Sequence, residues 1–195
     1  MLNKEQISDY LSLFKFLNGQ DIAKLSKLAR FKKIKAGDFF IEHQSKKRKV
    51  AYIQRGIMRA YYLKADGEER TVLFRWEKHV IGSFETLLED LPSNQVIQAL
   101  EDCKVWEIDY DILQDFIDRH PKFEKARKEM LQSLLIEALK RVETFVVETP
   151  EERYLKLLKE KPEVYDRVQN KHIASFLGIT PVSLSRIRKR ISEEN

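Results

Sequence analysis

The chain has 195 residues, with 36 Lys and Arg against 31 Asp and Glu, for a formal net charge of +5. That length permits one large domain, or a medium domain plus a small one, and the single cysteine, Cys103, excludes an internal disulfide and a cysteine-built metal site and fits a reducing compartment. The opening MLNKEQISDY has no hydrophobic signal region and no apolar run approaches the ~18 residues that span a bilayer, so a cytoplasmic protein with no membrane partner is expected.

Residues 1 to about 29 read as helical. Leu11, Phe14 and Leu17 form one apolar set and Ile22, Leu25, Leu28 and Ala29 a second, with Asn18 placed to cap the second helix. From Arg30 to about Ile108 the texture changes to short β-branched and aromatic runs: FKKIK, FFI, VAYI, IMRAYYL, RTVLFRW, HVIG, QVIQAL and KVWEI. Turn residues punctuate them at roughly 8–12-residue spacing, which reads as an antiparallel barrel or sandwich. Asp66-Gly67 predicts a two-residue hairpin turn, because such a turn needs positive φ. Ser45–Lys49 (SKKRK) reads as a loop with a basic run, which could touch nucleic acid but is more simply a solvated loop.

His79 to Pro92 places a glycine-containing turn before a short helical segment, a start whose N–H groups can hold an anion. Trp76, Phe84, Trp106, Tyr61 and Tyr62 read mostly as core, although a barrel of this size can leave a ligand cavity. The four histidines, His43, His79, His120 and His172, are far apart without metal-ligand spacing. No nucleophile triad, phosphate-cradling loop or paired carboxylate stands out, so no catalytic residue, metal or resident cofactor is expected and an enzyme is not the reading.

Asp111 to Arg119 predicts a short helix closed by His120-Pro121. A long helix follows from Lys122 to about Val147. In it Leu131, Leu135, Ala138, Val142 and Phe145 advance by 4, 3, 4 and 3, and Leu134 and Leu139 broaden the stripe. Such an a/d seam packs on its own sheet or forms a two-fold coiled-coil interface; the stripe is wide enough for both, and a homodimer is expected. Thr149-Pro150-Glu151-Glu152 is a capping box with proline first, placing a domain boundary near Thr149. Arg153 to Glu160 is amphipathic through Tyr154, Leu157 and Leu158, Lys161-Pro162 ends it, and Val164 to Gln169 reads as a loop or short extended strand.

The last stretch, KHIASFLGITPVSLSRIRKR, predicts two short helices about a tight turn. Ile173, Ala174 and Leu177 share one buried face, Gly178 stops the helix, and Thr180-Pro181 starts the next. Leu184, Ile187 and Ile191 give the second helix its apolar stripe, while Ser183, Ser185, Arg186, Arg188, Lys189 and Arg190 occupy its other face. This is the layout of a helix-turn-helix that offers its second helix to a DNA major groove. From Arg167 to Arg190 every charged residue is basic.

The order of these parts resembles the CRP/FNR family of bacterial transcription regulators over essentially the full chain. HIASFLGITPVSLSRIRK is its most specific segment, similar to versions common in Bacteroidetes; TPEERYLKLL, KAGDFFI, QRGIMRAYYL and VIGSF also fit. The resemblance implies an α+β fold: an N-terminal antiparallel β-roll of cyclic-nucleotide-binding type with flanking helices over residues 1–120 as sensor, a dimerisation helix over 121–148, and a DNA-binding helix-turn-helix domain over 149–195. It implies that Arg186 reads a guanine edge with Ser185 beside it, the commonest specific base contact being a bidentate arginine on G O6/N7. Thr180 and Ser183 would lie near phosphates, with Lys171, Arg188, Lys189 and Arg190 adding electrostatic contacts. Double-stranded DNA, a second copy of the chain, a small-molecule effector at Gly82, Ser83 and Phe84, and RNA polymerase are the partners implied.

Departures from the family pattern narrow this. Val182 stands where many members carry a glutamate, so the target base sequence does not carry over. Gly82 is followed by Ser83 rather than glutamate, and Pro92-Ser93-Asn94-Gln95 lacks the arginine that neutralises a cyclic phosphate. An unpaired phosphate in a pocket is costly, so cAMP is not expected. The cysteine cluster of oxygen-sensing members is absent, which removes an iron–sulfur cluster. The rival reading is a small-molecule-binding module whose C-terminal helices contact a protein.

Overall fold

Residues 18–194 are described in the computed structural model, so the expected helix through Leu11, Phe14 and Leu17 lies outside the described residues. Helix α1 (Gly19–Leu28) starts at a full capping box: Asn18 Oδ1 accepts the Gln20 and Asp21 N–H groups, and Asp21 Oδ2 accepts the Asn18 N–H at 2.8 Å. Eight strands follow: β1 (Arg30–Ile34), β2 (Phe39–Ile41), β3 (Lys49–Arg55), β4 (Met58–Leu63), β5 (Glu69–Arg75), β6 (Val80–Gly82), β7 (Gln95–Ala99) and β8 (Cys103–Asp109). They pair antiparallel in two four-stranded sheets of order β1-β8-β3-β6 and β2-β7-β4-β5, with helix α2 (Phe84–Glu89) between β6 and β7.

Strand alternation builds the roll. Ala51 and Ile53 on β3, Met58 and Ala60 on β4, Ile97 and Ala99 on β7, and Cys103 and Val105 on β8 all turn into one core. Each large aliphatic buried there contributes roughly 1.5–3 kcal/mol. Gly56 has φ +107°, and a Cβ there would sit 2.5 Å from Cys103 Sγ, so this corner requires glycine. Burial pushes the Cys103 thiol up to about 12, which makes it a packing group.

Two expectations are corrected. The β4–β5 connection is a hairpin with a longer loop than two residues. Lys64 N–H donates to Glu68 O, Gly67 N–H donates to Lys64 O, and only Gly67 (φ +82°) takes positive φ. A turn closed by one left-handed glycine is the three-residue alternative to the two-residue turn. Val164 to Gln169 is not a loop or strand: helix α6 (Pro162–Arg167) occupies most of it. Pro162 ends helix α5 (Pro150–Glu160) but suits the first turn of a new helix, and Val164 and Val168, four apart, are both buried on one face.

The remaining helices are α3 (Tyr110–Asp118), α4 (Pro121–Val147), α7 (Asn170–Leu177) and α8 (Pro181–Glu194). Asp21 pairs with Lys122 at the start of α4, tying α1 to it. Thr149 Oγ1 and Glu152 form the expected capping box that opens α5. The C-terminal helices share their core with the roll: Ile57 and Phe74 cluster with Tyr154, Leu157, Phe176 and Leu184. Strand β5 is a sheet edge, and α7 docks on it through the Phe74–Phe176 ring contact and one hydroxyl. Thr71 N–H donates to Ser175 Oγ at 2.9 Å, and Ser175 Oγ donates to Glu69 O at 2.8 Å, occupying ladder groups that an edge leaves open. No helix among the described residues is long and apolar enough to cross a membrane.

Candidate nucleic-acid interface

The α7–α8 pair is fixed by its turn. Gly178 (φ +73°) ends α7, with its N–H donating to Ala174 O and Ser175 O and Ile179 N–H donating to Ala174 O at 3.0 Å, a Schellman closure. A Cβ at Gly178 would lie 2.8 Å from Phe145 Cε1, so the turn also lets α4 approach. Thr180 Oγ1 then accepts the Ser183 N–H at 3.1 Å and starts α8. Two arginines that the sequence reading did not single out hold the same C-terminal end of α7. Arg141 donates to Phe176 O and stacks on the Phe145 and Phe176 rings; Arg153 donates to Leu177 O at 3.1 Å and Glu148 O at 2.6 Å. Burial, with Arg153 adding to it, lowers Arg141 to about 10. Their only sequence signal was the unused end of a helix needing carbonyl partners.

Leu184 and Ile187 are buried under α8, which turns Val182, Ser185, Arg186 and Lys189 to solvent. Arg186 and Ser185 are exposed and make no hydrogen bond or ion pair with described residues, and the same is true of Lys171 on α7. Lys189 is exposed and, among the described residues, reaches Glu193 at 3.7 Å. Arg190 pairs with Glu151 at the start of α5. Arg188 differs from the expected group: its guanidinium packs on the Tyr154 and Tyr165 rings and donates to Asn170 Oδ1 at 2.7 Å, so it braces α8 against α5 and α6. Thr180 and Ser183 are committed to the cap. Arg167, basic in the same stretch, is clamped to the roll through Glu77 and Glu101. Burial alone would raise the Glu77 carboxyl, but Arg167 and the Gly56 N–H bring it down to about 2. His172 on α7 is buried; burial first, then Arg59 and Lys171, lower it to about 4, so it is neutral at pH 7.

The cassette between β6 and β7 has the opposite character. Ser83, Thr86 and Ser93 are fully buried. Ser93 Oγ lies 2.7 Å from both Ser83 Oγ and Gln95 O, and Ser83 Oγ lies 3.2 Å from Thr86 Oγ1. Gln95 Nε2 donates to Tyr62 Oη at 2.8 Å, and the Asn94 N–H donates to Glu85 Oε2 at 3.0 Å. An acidic side chain thus stands beside the Pro92–Gln95 segment, which has no arginine. Gly82 and Phe84 line an apolar cavity of about 130 Å³, between the β1-β8-β3-β6 sheet and α1, α3 and α4, while Ser83 lines neither that cavity nor the cleft beside Trp76. The three expected pocket residues therefore do not share one space.

On α4, Leu135, Leu139, Val142 and Val146, spaced 4, 3 and 4, are 60–78% exposed. Of the expected seam, Leu135 and Val142 lie on this stripe and Ala138 is exposed at its border. Leu131 is half-buried at the apolar cavity, and Phe145 is exposed while its ring also meets Arg141, Arg153 and the Gly178 turn. The exposed stripe is thus rotated from the sequence register toward Leu139 and Val146.

Residues 31–120 match the cyclic nucleotide-binding domain. No curated protein is similar in sequence at a significant level. Among solved structures, the c-di-GMP-responsive global regulator CLP of Xanthomonas campestris superposes with a TM-score of 0.74 at 14% identity, over 91% of this chain and 93% of that one. FixK2 of Bradyrhizobium japonicum gives 0.73 at 19%, over 85% of each chain. The Thermus thermophilus catabolite activator protein gives 0.60 at 17%, over 93% and 87%. At these identities the likeness is one of fold: a cyclic-nucleotide-binding-type roll with flanking and C-terminal helices.

Proposed function

We propose that the protein is a homodimeric, sequence-specific DNA-binding transcription regulator whose α7–α8 pair is a helix-turn-helix. One observation carries this reading: Arg186 and Ser185 stand on the outer face of α8, without a partner among the described residues, directly opposite the buried Leu184 and Ile187. An exposed guanidinium at the centre of a helix face, with Lys189 and Lys171 nearby, suits base readout flanked by phosphate contacts. The solved regulators with the same fold support it. The Leu135, Leu139, Val142 and Val146 stripe would pair with the same stripe of a second copy, since an apolar a/d row of this length on one face is costly in water. Two α8 helices would then meet half-sites about one helical turn (~34 Å) apart.

The roll would be the sensor, and cAMP would not be its signal. A phosphate entering the cassette would meet Glu85 and a closed hydroxyl network instead of an arginine. A signal acts only by favouring one arrangement of α4 and the C-terminal helices over another.

The test is a titration of the full-length protein with duplex DNA at about 50 and 200 mM salt, alongside light scattering at micromolar concentration. Several phosphate contacts predict a steep loss of affinity across that salt range, and the particle is expected to be a dimer. Absence of duplex binding at the lower salt, or a monomer, contradicts the reading.

A further inference from the structure

A second cleft, of about 420 Å³, lies between the β5–β6 turn, helix α4 and the end of α5, in the size range of small-ligand sites. Its wall is apolar and aromatic: Trp76, Val80, Phe84, Met130 and Leu134. Its polar end is unusual. Glu137 receives both terminal nitrogens of the buried Arg75, at 2.9 and 2.5 Å, while Lys161 reaches the same carboxylate at only 3.6 Å. One carboxylate thus faces two cations, and the Lys161 amine, half-buried and 5.8 Å from both the Trp76 and Phe176 rings, has the weaker hold on it. Burial lowers the Lys161 pKa; Glu137 opposes this, and Arg75 and Arg141 reinforce it. His79 is held down by burial and by Arg75, so it adds no further positive charge to the site near pH 7. Glu129 lies at the exposed rim.

We infer that this cleft binds a small organic carboxylate with an apolar or aromatic body, its carboxylate completing the coordination of Lys161 and its body lying against Trp76, Phe84 and Leu134. A monoanion neutralises the surplus cation, and a phosphate would bring charge the apolar wall cannot use. The cleft stays open in a dimer: at 100° per residue, Met130, Leu134 and Glu137 lie on the face of α4 away from Leu135, Leu139, Val142 and Val146.

The site joins three parts of the chain. Trp76 and His79 belong to the turn whose Glu77 holds Arg167, and Lys161 caps α5 in the C-terminal unit. An occupant would strengthen the docked arrangement of that unit on the roll. This consequence rests on the regulator reading above; the binding itself does not.

The test uses the full-length protein carrying Trp106→Phe, which leaves Trp76 as its only tryptophan. Benzoate, phenylacetate and octanoate are titrated against Trp76 emission and by calorimetry, with phenylacetamide as the uncharged control. At least one carboxylate is expected to saturate, the amide to bind at least tenfold more weakly, and Lys161→Met to weaken the carboxylate at least tenfold. Lys161→Gln serves if the methionine variant melts early. No saturable binding by any of the three acids, equal binding of the amide, undiminished binding by the Lys161 variant, or competition by inorganic phosphate at equal strength overturns the proposal. Duplex titration of the same samples separates the two readings: DNA binding without carboxylate binding removes this site alone, and carboxylate binding without DNA binding removes the regulator and leaves the site.

Discussion

The cassette between β6 and β7 and the outer face of α8 are both helix starts with paired hydroxyl side chains, and they end in opposite states. In the cassette every hydroxyl has a partner within the chain: Ser93 with Ser83 and the Gln95 carbonyl, Ser83 with Thr86. On α8 the hydroxyls of Thr180 and Ser183 make the cap, but Arg186 and Ser185, like Lys171 on α7, have no partner among the described residues. Buried polar groups that satisfy one another hold structure together. Exposed cations held on a rigid frame without internal anions are available to an external one. The difference supports the proposed placement of the DNA contact on the helix face and not at the cassette.

The comparison can be broken at four points. Gly178→Val should do the most damage, because it forces a branched side chain into φ +73° and into the Phe145 ring. A loss of about 3 kcal/mol or more in chemical denaturation is expected. Ser93→Ala should cost roughly 1–3 kcal/mol of stability by leaving Ser83 short of a partner, and should leave duplex affinity unchanged.

The third point is pH. His172 takes up its proton near pH 4 in the fold against about 6.5 unfolded, so between those values the unfolded chain binds more protons and stability falls as pH falls. At pH 5 this contributes a loss on the order of 2 kcal/mol relative to pH 7. His172→Gln, compared with wild type in denaturant melts at both pH values, should lack that increment. The smallest effect is Lys189→Ala. It should leave stability unchanged, weaken all duplexes about equally and lower the salt slope by about 1. If Ser93→Ala altered DNA binding, or Lys189→Ala altered stability alone, the contrast between the two regions would fail.

Most of the fold was legible in the sequence because its signals are local. The strand runs, the Asn18 and Thr149 capping boxes, the Gly178 stop and the apolar stripes of α7 and α8 each follow from residues within a turn or two of one another. Alternation and helical spacing report which face is buried, and they did so for Ile173, Leu177, Leu184 and Ile187. What was not legible depends on distant partners. Arg188 reads as one more surface cation until Tyr154 and Tyr165 are placed beside it. Phe145 fits the seam by spacing and stays partly exposed, yet its ring also meets Arg141 and the Gly178 turn. The cleft at Lys161 draws on the β5–β6 turn, α4 and α5, and no window of sequence contains all three. Pro162 misled in a different way, since a proline both ends one helix and begins another.

The central claim is that Arg186 reads a base from a duplex groove. The direct measurement is the affinity of wild type and Arg186→Ala for a duplex selected from a random pool and for a scrambled duplex of equal length, at one salt concentration. A loss of about 1–3 kcal/mol on the selected site with a much smaller loss on the scrambled one is the expected result. Equal losses on both, or none on either, would contradict it.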